Sequence, residues 1–386
     1  MKKLFKMLFV LSIIVGVISF SFVGCGSNKT SEPKVKVGIV FDIGGRGDHS
    51  FNDSAYAGLV QAAKDFGGYI KDEQGNIIEN YGNNIELRYM QPSKEGGADR
   101  LEKLEELAKE NYQLIIGVGF AFSEDILKAA KDYQNIHFAI VDSCYPDDKH
   151  PSNVTCLLFK ENEGSFLVGA IAGLTTKTNQ LGFVGGMDIP LIQKFEYGYM
   201  AGAKYVNKDI QNIDVKFVTD VKETKNPWND PAAAKTLAEE MYNNGIDIIY
   251  HAAGGSGYGV FESALNHDKW AIGVDSDQQV ILMSSDNDTD RAMADHVITS
   301  MLKKVNVAVY SIVSEMYKTG KVAEKVKVFG LKEGGVDYAY NDYNKEMLDP
   351  IKPQIDELKQ KIINGEIKVP ANKEEYEEFA NTYLNQ

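Results

Sequence analysis

Cysteine, histidine and tryptophan are rare in this sequence. Its 386 residues include three cysteines, six histidines and two tryptophans. The histidines are scattered, no pair of them stands at the spacing of metal ligands, and no Gly-x-Ser-x-Gly nucleophile turn occurs. An enzyme that gathers a metal ion or an activated nucleophile at one turn is therefore disfavoured, and we expect neither a metal site nor a cofactor.

Long apolar runs are missing beyond the N-terminus, so no later stretch is expected to cross a membrane. At the N-terminus, three lysines precede the apolar stretch 8–22, which is too short to span a bilayer comfortably. This arrangement is typical of an export signal. It predicts that residues 1–24 are removed from the mature protein.

The predicted cleavage point is followed by a cysteine. A small residue precedes Cys25, so the junction resembles a lipobox, with Phe22 at a position where Leu is usual. We expect Cys25 to be diacylated and to anchor the mature chain, with residues 25–34 as a polar, flexible tether. The alternative is an ordinary secretory peptide in which Cys25 is incidental.

Positive charge is scarce as well. The chain has 41 lysines and arginines against 55 acidic residues, a formal net charge of −14. Loss of residues 1–24 removes three lysines and no acid, which takes the charge from −14 to −17. Nucleic acids and anionic lipids both attract basic surfaces. We therefore expect no nucleic-acid partner, and contact with the membrane through the lipid anchor only.

The two remaining cysteines, Cys144 and Cys156, flank a polar loop. An exported chain permits a disulfide between them. Two separate buried thiols are equally compatible with the pattern, so the sequence leaves both alternatives open.

The chain is organised around its first strand and turn. The apolar run 35–41 predicts a buried strand of a parallel sheet, and Asp42, a turn with three glycines and a helical pattern over 51–66 follow it. Ligands of open α/β sheets bind outside such strand ends. A dinucleotide fingerprint is disfavoured because Ser50 replaces its third glycine, and because Asp42 and Asp48 would repel a pyrophosphate.

Strand and helix patterns alternate along the rest of the chain. The predicted strands are 35–41, 85–90, 114–118, 137–141, 154–159, 181–185, 215–221, 246–252 and 270–274. The predicted helices are 51–66, 97–111, 123–133, 192–207, 231–244 and 258–267. Repeated strand–helix units predict parallel sheets with right-handed crossovers. About 360 mature residues exceed one comfortable core, so the fold class is α/β with two doubly wound lobes.

Several predicted strands are followed by aspartates, glycines or an aromatic residue, a combination that a turn without a ligand does not need. Asp42, Asp142 and Asp275 each follow a strand, a Gly-Phe pair at 119–120 follows another, and a glycine run at 254–255 follows a further one. The carboxyl ends of parallel strands meet at one edge of a sheet. We therefore expect these ends to face a single cleft.

Motifs along nearly the whole chain carry a family resemblance. In order they are DHSFN at 48–52, GVGF at 117–120, FAIVD at 138–142, EGSFLVG at 163–169, GVDSDQ at 273–278, TSMLK at 299–303 and INGEIKVP at 363–370. This set resembles the basic membrane protein family, which are substrate-binding lipoproteins of ABC transporters of the purine-nucleoside-receptor type. The resemblance implies a type I periplasmic-binding-protein fold with two parallel-sheet lobes and a three-crossover hinge. It places residues 35–142 and about 275–320 in lobe 1, and residues 143–274 and about 321–386 in lobe 2.

The resemblance also implies a nucleoside in the cleft. A flat base requires aromatic faces, and a ribose requires fixed donors and acceptors. Phe51 and Trp228 are candidates for the two faces, and Trp228 stands where the family motif has Phe. Asp142 is expected to accept hydrogen bonds from the base, and Asp275 from the ribose hydroxyls. Lys303, placed on a helix after the Asp275 strand, is expected to balance that charge or donate to the ribose.

Other positions complete the predicted site. Gly254 and Gly255 are expected to let the backbone approach the ligand. Asp42 either binds ligand or orients the glycine turn, and both interpretations stay open. We assign Phe195 to core packing and the polar segment 286–290 to a solvated loop. The predicted ligand-binding residues are Asp42, Ser50, Phe51, Asn52, Phe120, Asp142, Trp228, Gly254, Gly255, Asp275 and Lys303.

The function implied by the resemblance is a lipid-anchored, extracytoplasmic ABC-transporter receptor. It would close its lobes on a purine nucleoside (guanosine, inosine or adenosine) and deliver it to a permease. Three alternatives remain at this point. They are a receptor for a sugar or other small polar ligand, a surface adhesin or sensor on the same fold, and an extracellular nucleoside hydrolase using the clustered aspartates.

Overall fold

The computed structural model describes residues 32–222, 224 and 226–385. The predicted signal peptide, the lipidation site Cys25 and most of the predicted tether lie outside the described residues. Within them, the chain forms fourteen β-strands and thirteen α-helices, with short 3₁₀ turns between several of them.

The strands, in chain order, are β1 (Val35–Val40), β2 (Tyr69–Lys71), β3 (Ile77–Asn80), β4 (Ile85–Met90), β5 (Leu114–Val118), β6 (His137–Val141), β7 (Val154–Phe159), β8 (Leu181–Gly185), β9 (Ile213–Phe217), β10 (Ile248–Ala252), β11 (Trp270–Asp275), β12 (Val297–Lys303), β13 (Val326–Phe329) and β14 (Val336–Tyr338).

The helices, in the same order, are α1 (Phe51–Phe66), α2 (Arg100–Lys109), α3 (Ser123–Asp132), α4 (Glu161–Thr175), α5 (Pro190–Val206), α6 (Pro231–Asn243), α7 (Tyr258–His267), α8 (Gln278–Met283), α9 (Asp288–Ala294), α10 (Val305–Thr319), α11 (Lys345–Leu348), α12 (Lys352–Ile363) and α13 (Lys373–Phe379).

Two sheets organise these elements. The sheet of the first lobe has eight strands in the order β13-β7-β6-β5-β1-β4-β2-β3, and the sheet of the second lobe has six in the order β14-β12-β11-β10-β8-β9. All pairings are parallel except β2 with β3 and β12 with β14. In each sheet the winding reverses direction at one point, between β1 and β5 in the first lobe and between β8 and β10 in the second. The predicted α/β fold class with two parallel-dominated sheets is confirmed.

Strand β1 lies in the interior of the first sheet, as its nearly continuous apolar sequence predicts. Val35, Val37, Ile39 and Val40 are buried between helices on the two faces of the sheet. A strand covered on both faces needs apolar side chains on both, so its hydrophobic run is nearly continuous.

Helices α4 and α5 pack unusually closely in the second lobe. A Cβ at Gly169 would lie 2.2 Å from the carbonyl oxygen of Tyr199, and a Cβ at Gly202 would lie 2.0 Å from that of Phe166. These glycines bring the two backbones into contact, which a larger residue would prevent. Part of the EGSFLVG motif is thus explained by helix packing.

The chain passes between the two lobes three times. Lys160 links β7 to α4, Lys304 links β12 to α10, and residues 330–335 link β13 to β14. The crossing segments are tied together, because the Lys160 amide donates to the Phe329 carbonyl at 3.1 Å and the Lys304 amide donates to the Gly335 carbonyl at 2.8 Å. The three-crossover hinge is therefore one hydrogen-bonded unit.

The predicted division of the chain between the lobes is wrong in three places. Strand β12, assigned to lobe 1, pairs with β11 in the sheet of the second lobe, and β7, assigned to lobe 2, pairs with β6 in that of the first. Strand β13, also assigned to lobe 2, pairs with β7 in the sheet of the first lobe. The physical reason is that the chain crosses between the lobes at Lys160, at Lys304 and at 330–335, directly after β7, β12 and β13, and not at the predicted boundaries.

Two local predictions are also corrected. Lys303 ends strand β12 and does not lie on a helix, because Val297–Lys303 pairs with β11 and β14. The segment 286–290 is not simply a solvated loop, since helix α9 begins within it and Asn287 caps that helix by accepting a hydrogen bond from the Thr289 amide.

Candidate ligand-binding cleft

A cavity of about 370 Å³ lies between the two sheets, at the carboxyl ends of their strands. This is where open α/β sheets place their ligands. The cavity brings together ten of the eleven predicted residues. They are Asp42, Phe51, Asn52, Phe120, Asp142, Trp228, Gly254, Gly255, Asp275 and Lys303. Ser50 is fully buried and does not line the cavity.

The glycine turn after β1 is held by carboxylates. Asp42 forms an ion pair with Arg100, with 2.6 Å between Oδ1 and Nη2, and the Asp42 amide donates to Asn52 Oδ1 at 3.1 Å. Asp48 accepts from the backbone amides of Ser50, Asn52 and Asp53 at the start of α1. Asp42 therefore orients the glycine turn, and because it also borders the cavity, ligand binding stays open as a second function.

Ser50 joins the two lobes. Its hydroxyl donates to Asp275 Oδ2 at 2.6 Å, and the Ser276 hydroxyl donates to the Ser50 carbonyl oxygen at 3.2 Å. Ser50 stands at the N-cap of α1, but its side chain makes no capping hydrogen bond. Its hydroxyl instead orients the Asp275 carboxylate across the cleft.

Asp142 and Lys303 form a buried ion pair with a third member, Glu161. Lys303 Nζ lies 2.6 Å from Asp142 Oδ2 and 3.0 Å from Glu161 Oε1, and Lys194 Nζ lies 3.0 Å from Glu161 Oε2. Lys303 is 2% exposed and Glu161 is 0% exposed. The direct partners of Lys303 are therefore Asp142 and Glu161, whereas its attraction to Asp275, expected from the sequence, acts without an ion-pair contact.

Burial governs the protonation of these groups. Burial raises the pKa of Asp275 to about 6, although Lys303 and the Ser50 hydroxyl oppose the shift. Burial also raises the pKa of Asp142, against the attraction of Lys303. For Lys303 and Glu161 burial is outweighed by the opposite charges around them, so the pKa of Lys303 is raised and that of Glu161 is lowered.

Asp142 and Asp275 share an uncommon backbone conformation. Asp142 has φ +66° at the end of β6, and Asp275 has φ +64° at the end of β11. Non-glycine residues adopt this left-handed region only at a cost, and such residues concentrate at functional sites. One oxygen of Asp142, Oδ1, has no hydrogen-bond partner among the described residues. A buried acceptor of this kind is open to a donor from a ligand.

Aromatic rings line the rest of the cavity. Lys303 Nζ lies 5.2 Å from the Phe51 ring and 5.6 Å from the Phe195 ring. On the other side, the Phe120 and Trp228 rings meet edge to face with centroids 6.2 Å apart. Phe195 packs in the core as predicted, and it also forms part of the cavity wall.

Glycines make room for Trp228. A Cβ at Gly254 or Gly255 would lie 3.2 or 3.3 Å from the Trp228 carbonyl oxygen, and Gly254 has φ +56°. A Cβ at Gly186, just after β8, would lie 2.3–2.8 Å from three carbons of the indole. The predicted role of Gly254 and Gly255 is therefore extended, because they admit the Trp228 loop as well as bordering the cavity.

A family model described as "ABC transporter substrate-binding protein PnrA-like" (Bmp) matches residues 34–373. The chain belongs to this PnrA-like family. It is 36% identical over 353 residues to the CD4+ T-cell-stimulating antigen of Listeria innocua, covering 89% of this chain and 90% of that protein. It is 34% identical over 363 residues to the ABC transporter nucleoside-binding protein BmpA of Lactococcus lactis, covering 90% and 94%.

Solved structures agree with the PnrA-like assignment. A solute-binding protein of an ABC transporter system from Aeropyrum pernix matches with a TM-score of 0.70 and 26% identity, covering 91% of this chain and 98% of that one. As a PnrA-like protein, the chain is an ABC-transporter substrate-binding protein and not an enzyme. That role implies a small-molecule ligand and a permease. Across the described residues, no helix combines the length and apolar character that a membrane span requires.

Sequence reasoning missed several residues of the PnrA-like cleft. Glu161 is the most important, because it is buried beside Lys303 and directly follows the first hinge crossing. Its signal was an acid at the start of an otherwise apolar helix, a position that also suits a simple helix N-terminus. Glu161 itself does not line the cavity. The lining residues that were not predicted include Asp48, His49, Leu191, Ile192, Tyr258, Phe261, Gln278, Ile281 and Leu282.

The two cysteines left open by the sequence are joined. Cys144 and Cys156 form a disulfide that closes the loop between β6 and β7. The loop is connected to the cleft, because Ser143 Oγ lies 2.7 Å from Ser123 Oγ, which in turn donates to the Phe120 carbonyl at 2.5 Å. The disulfide therefore belongs to the support of one wall of the cavity.

Replacing Gly186 by alanine is expected to weaken ligand binding. The new methyl group overlaps the Trp228 indole and displaces it, so we expect Kd to rise about 2- to 12-fold, the equivalent of one aromatic contact of about 0.5–1.5 kcal/mol. Titration calorimetry of Gly186→Ala checks this. Adding Trp228→Phe to Gly186→Ala returns space to the site and should recover part of the loss, whereas unchanged affinity in Gly186→Ala would contradict the contact.

Proposed function

We propose that this protein is a lipid-anchored receptor that binds purine nucleosides in the cleft and delivers them to an ABC permease. The observation that carries the proposal is the composition of one cavity, in which aromatic rings and carboxylates of both lobes face the same space. A nucleoside has one flat apolar part and one part rich in hydroxyl donors, so it suits both kinds of wall. The name of the Lactococcus lactis relative, a nucleoside-binding protein, agrees with it.

Charge in the cavity favours an uncharged ligand. Four aspartates line it, whereas Lys303, the one lysine among its described lining residues, is already paired with two carboxylates. A phosphate group would meet carboxylates without a free cation from these lining residues to receive it. The proposal is therefore for nucleosides and against nucleotides.

Each part of the proposed ligand has a place. The base lies against Trp228, with Phe51 as the opposing wall, and donates to the unpartnered oxygen of Asp142. The ribose hydroxyls donate to Asp275, whose carboxylate Ser50 already orients. Lys303 holds Asp142 in place from behind. Because the ligand touches both lobes, it stabilises the closed form, and that differential affinity is the signal to the permease.

Titration calorimetry on residues 26–386, freed of carried-over ligand, tests this function. Guanosine, inosine, adenosine, cytidine, ribose and guanosine monophosphate are titrated separately. The proposal predicts tight binding of at least one purine nucleoside and none of the monophosphate. Binding of ribose alone would assign the protein to sugar receptors, and no heat with any compound would overturn the nucleoside assignment. Mass spectrometry of the processed N-terminus tests for acyl chains on Cys25.

Binding is expected to weaken in acid because of Asp275. Its carboxyl has a pKa of about 6 in the free protein, and only the carboxylate accepts from two hydroxyls at once. Apparent Kd should therefore rise about tenfold between pH 7 and pH 5. Asp142, whose pKa is also raised, shifts the effect in the same direction. Calorimetry across this range, with Asp275→Asn as the variant that flattens the profile, checks the expectation, and equal affinity at both pH values would refute it.

The raised pKa of Asp275 affects the stability of the free protein in the opposite direction, so that acid favours the folded state. The unfolded chain releases this proton near pH 4 and the folded chain near pH 6. Between these values the folded state binds more protons, so the contribution of Asp275 to the free energy of unfolding is present at low pH and is lost as pH rises through about 6. Bound nucleoside, which favours the carboxylate, offsets that loss.

A further inference from the structure

The loop between β6 and β7 gathers three side chains that can bind a metal ion. Cys144 Sγ, Cys156 Sγ and an imidazole nitrogen of His150 all lie within 4.8 Å of one another. The spacing is Cys-x5-His-x5-Cys, which no common zinc motif uses, so the pattern alone provides no reason to expect a metal there. In the structure the two sulfurs are joined as a disulfide.

The distances suit a tetrahedral zinc ion once the sulfurs are free. With bonds of about 2.3 Å to sulfur and about 2.1 Å to nitrogen, the ligand atoms of such a site stand about 3.6–3.8 Å apart. The distance from Cys156 Sγ to His150 Nε2 is already 3.9 Å. Opening the disulfide lets the sulfurs separate to this spacing, and the Cα atoms of the two cysteines are 5.3 Å apart.

Packing contacts order the side chains of this cluster in addition to the disulfide. Cys156 is fully buried within β7, and His150 is 9% exposed. The Tyr145 ring packs edge to face against the His150 ring at 5.9 Å, and the Tyr145 hydroxyl donates to the Ser123 carbonyl at 2.8 Å. The loop is thus fixed at both of its ends and through its middle. A site whose ligands are already ordered binds a metal with a smaller entropic cost.

We propose that the reduced form of this loop is a metal site in which Cys144, His150 and Cys156 bind a thiophilic divalent cation such as Zn²⁺. Two thiolates and one imidazole form a ligand set that Zn²⁺ prefers over Mg²⁺ or Ca²⁺, and two thiolates neutralise its charge. Water takes the fourth position, since Cys144 is only half-buried. Exposed Asp147 and Asp148 in the same loop add negative potential for the approaching cation.

The disulfide and the metal are alternative states of the same two sulfurs. A dithiol reductant attacks the half-buried Cys144 sulfur as a thiolate, the Cys144–Cys156 bond breaks, and the electron pair leaves on Cys156 sulfur. The second thiol of the reductant then displaces Cys144, which leaves two protein thiols and one oxidised, cyclic reductant. Metal binding releases the two thiol protons, and the neutral His150 ring carries its one proton on Nδ1 so that Nε2 binds the ion.

Metal binding requires His150 to give up one hydrogen bond. In the disulfide form His150 Nε2 donates to the Val154 carbonyl at 3.1 Å. Metal binding moves the ring proton from Nε2 to Nδ1 and replaces this bond by a nitrogen–metal bond, so the ring changes partner without moving out of its pocket.

Cobalt titration of the full mature chain tests the proposal. The protein is reduced with a dithiol, desalted under argon and titrated with Co²⁺, which reports tetrahedral thiolate ligation through its visible d–d bands and its near-ultraviolet sulfur-to-metal charge transfer. The expected result is one Co²⁺ per reduced chain, displaced by one equivalent of Zn²⁺, and no such bands in the oxidised chain. Absence of charge-transfer bands from the reduced chain would overturn the site.

Variants test the ligand set. Cys144→Ser and His150→Gln are each expected to weaken Co²⁺ binding about tenfold or more, and His267→Gln, an imidazole outside the cluster, is the matched control that should bind as the wild type does. Unchanged cobalt spectra in both cluster variants would overturn the assignment. Far-ultraviolet circular dichroism shows whether each variant is folded, and the comparison of oxidised with reduced wild-type protein decides the question if a variant is not.

Discussion

Replacing Lys303 by methionine is expected to lower the free energy of unfolding by about 3–5 kcal/mol. Removal of the ammonium leaves Asp142 and Glu161 buried close to each other without their shared cation. Breaking a buried ion pair on one side has this cost because a remaining charge, here that of Asp142, is left without a paired cation, whereas Glu161 keeps only Lys194. Chemical denaturation of wild type and Lys303→Met, followed by tryptophan fluorescence and far-ultraviolet circular dichroism, measures the difference.

The neighbouring lysine provides the matched control. Lys304 is partly exposed and its ammonium lies 3.7 Å from Asp337, so Lys304→Met should cost less than about 1 kcal/mol. The double variant Lys303→Met/Glu161→Gln removes one of the two carboxylates that have lost Lys303 and should recover part of the stability. If Lys303→Met costs no more than Lys304→Met, the buried triad of Asp142, Glu161 and Lys303 is not a stabilising unit.

Replacing Asp275 by alanine is expected to raise the Kd for a purine ribonucleoside by about 100-fold. The proposed carboxylate accepts from two ribose hydroxyls, and each hydrogen bond to a charged group is worth about 1.5–3 kcal/mol. The wild type should also prefer a ribonucleoside over its 2′-deoxy analogue by about tenfold or more, because the analogue leaves a buried acceptor unpaired. Calorimetric titration of both ligands into both proteins yields the four affinities.

The four affinities form a thermodynamic cycle. It distinguishes loss of the contact between Asp275 and the ribose from a general disturbance of the cleft by the substitution. In Asp275→Ala the preference for ribose over deoxyribose should fall to nearly one, since the discriminating acceptor is gone. Asp286→Ala removes an exposed carboxylate of the same lobe outside the cavity and should leave both affinities unchanged. A preference for ribose that survives in Asp275→Ala would assign the ribose contact to another residue.

The sheets were predictable because each strand–helix unit is a local pattern. The run from Val35 to Val40 is apolar at nearly every position, and the helix that follows begins at Phe51 as its spacing indicates. The same logic found the strands that end at Asp142 and Asp275. The edge hairpin β2–β3 was missed, since its strands are only three and four residues long and β3 is largely exposed, which removes the periodic signal.

The cavity wall was predictable to the extent that strand ends determine it. Asp42, Phe120 and Gly254 follow strands that lie beside the two points at which the winding reverses. Trp228 was identified only through its resemblance to a family motif, because the loop before α6 has no periodicity of its own.

The partners of Lys303 could not be predicted from the sequence. Asp142, Glu161 and Lys303 belong to three elements, and 161 positions separate the first from the last. Acidic residues and lysines are usually exposed, so an acid next to a strand or a lysine in a mixed apolar run does not by itself indicate a buried charge. Only the pairing of β12 with β11 and the hinge crossings bring these charges together, and strand pairing is a tertiary property that local patterns do not report.

The two strained aspartates, one in each lobe, give the cleft the character of a bivalent binder. A ligand that contacts only Asp142 or only Asp275 occupies half of the site. The hinge links the two lobes, and it therefore determines the effective concentration of the second half-site near a ligand bound to the first. We therefore expect the hydrogen bonds between the Lys160 amide and Phe329 and between the Lys304 amide and Gly335 to influence affinity, although they lie outside the proposed ligand contacts. Stiffening or loosening these crossings is expected to change the retention and release of the ligand without altering which molecule is recognised.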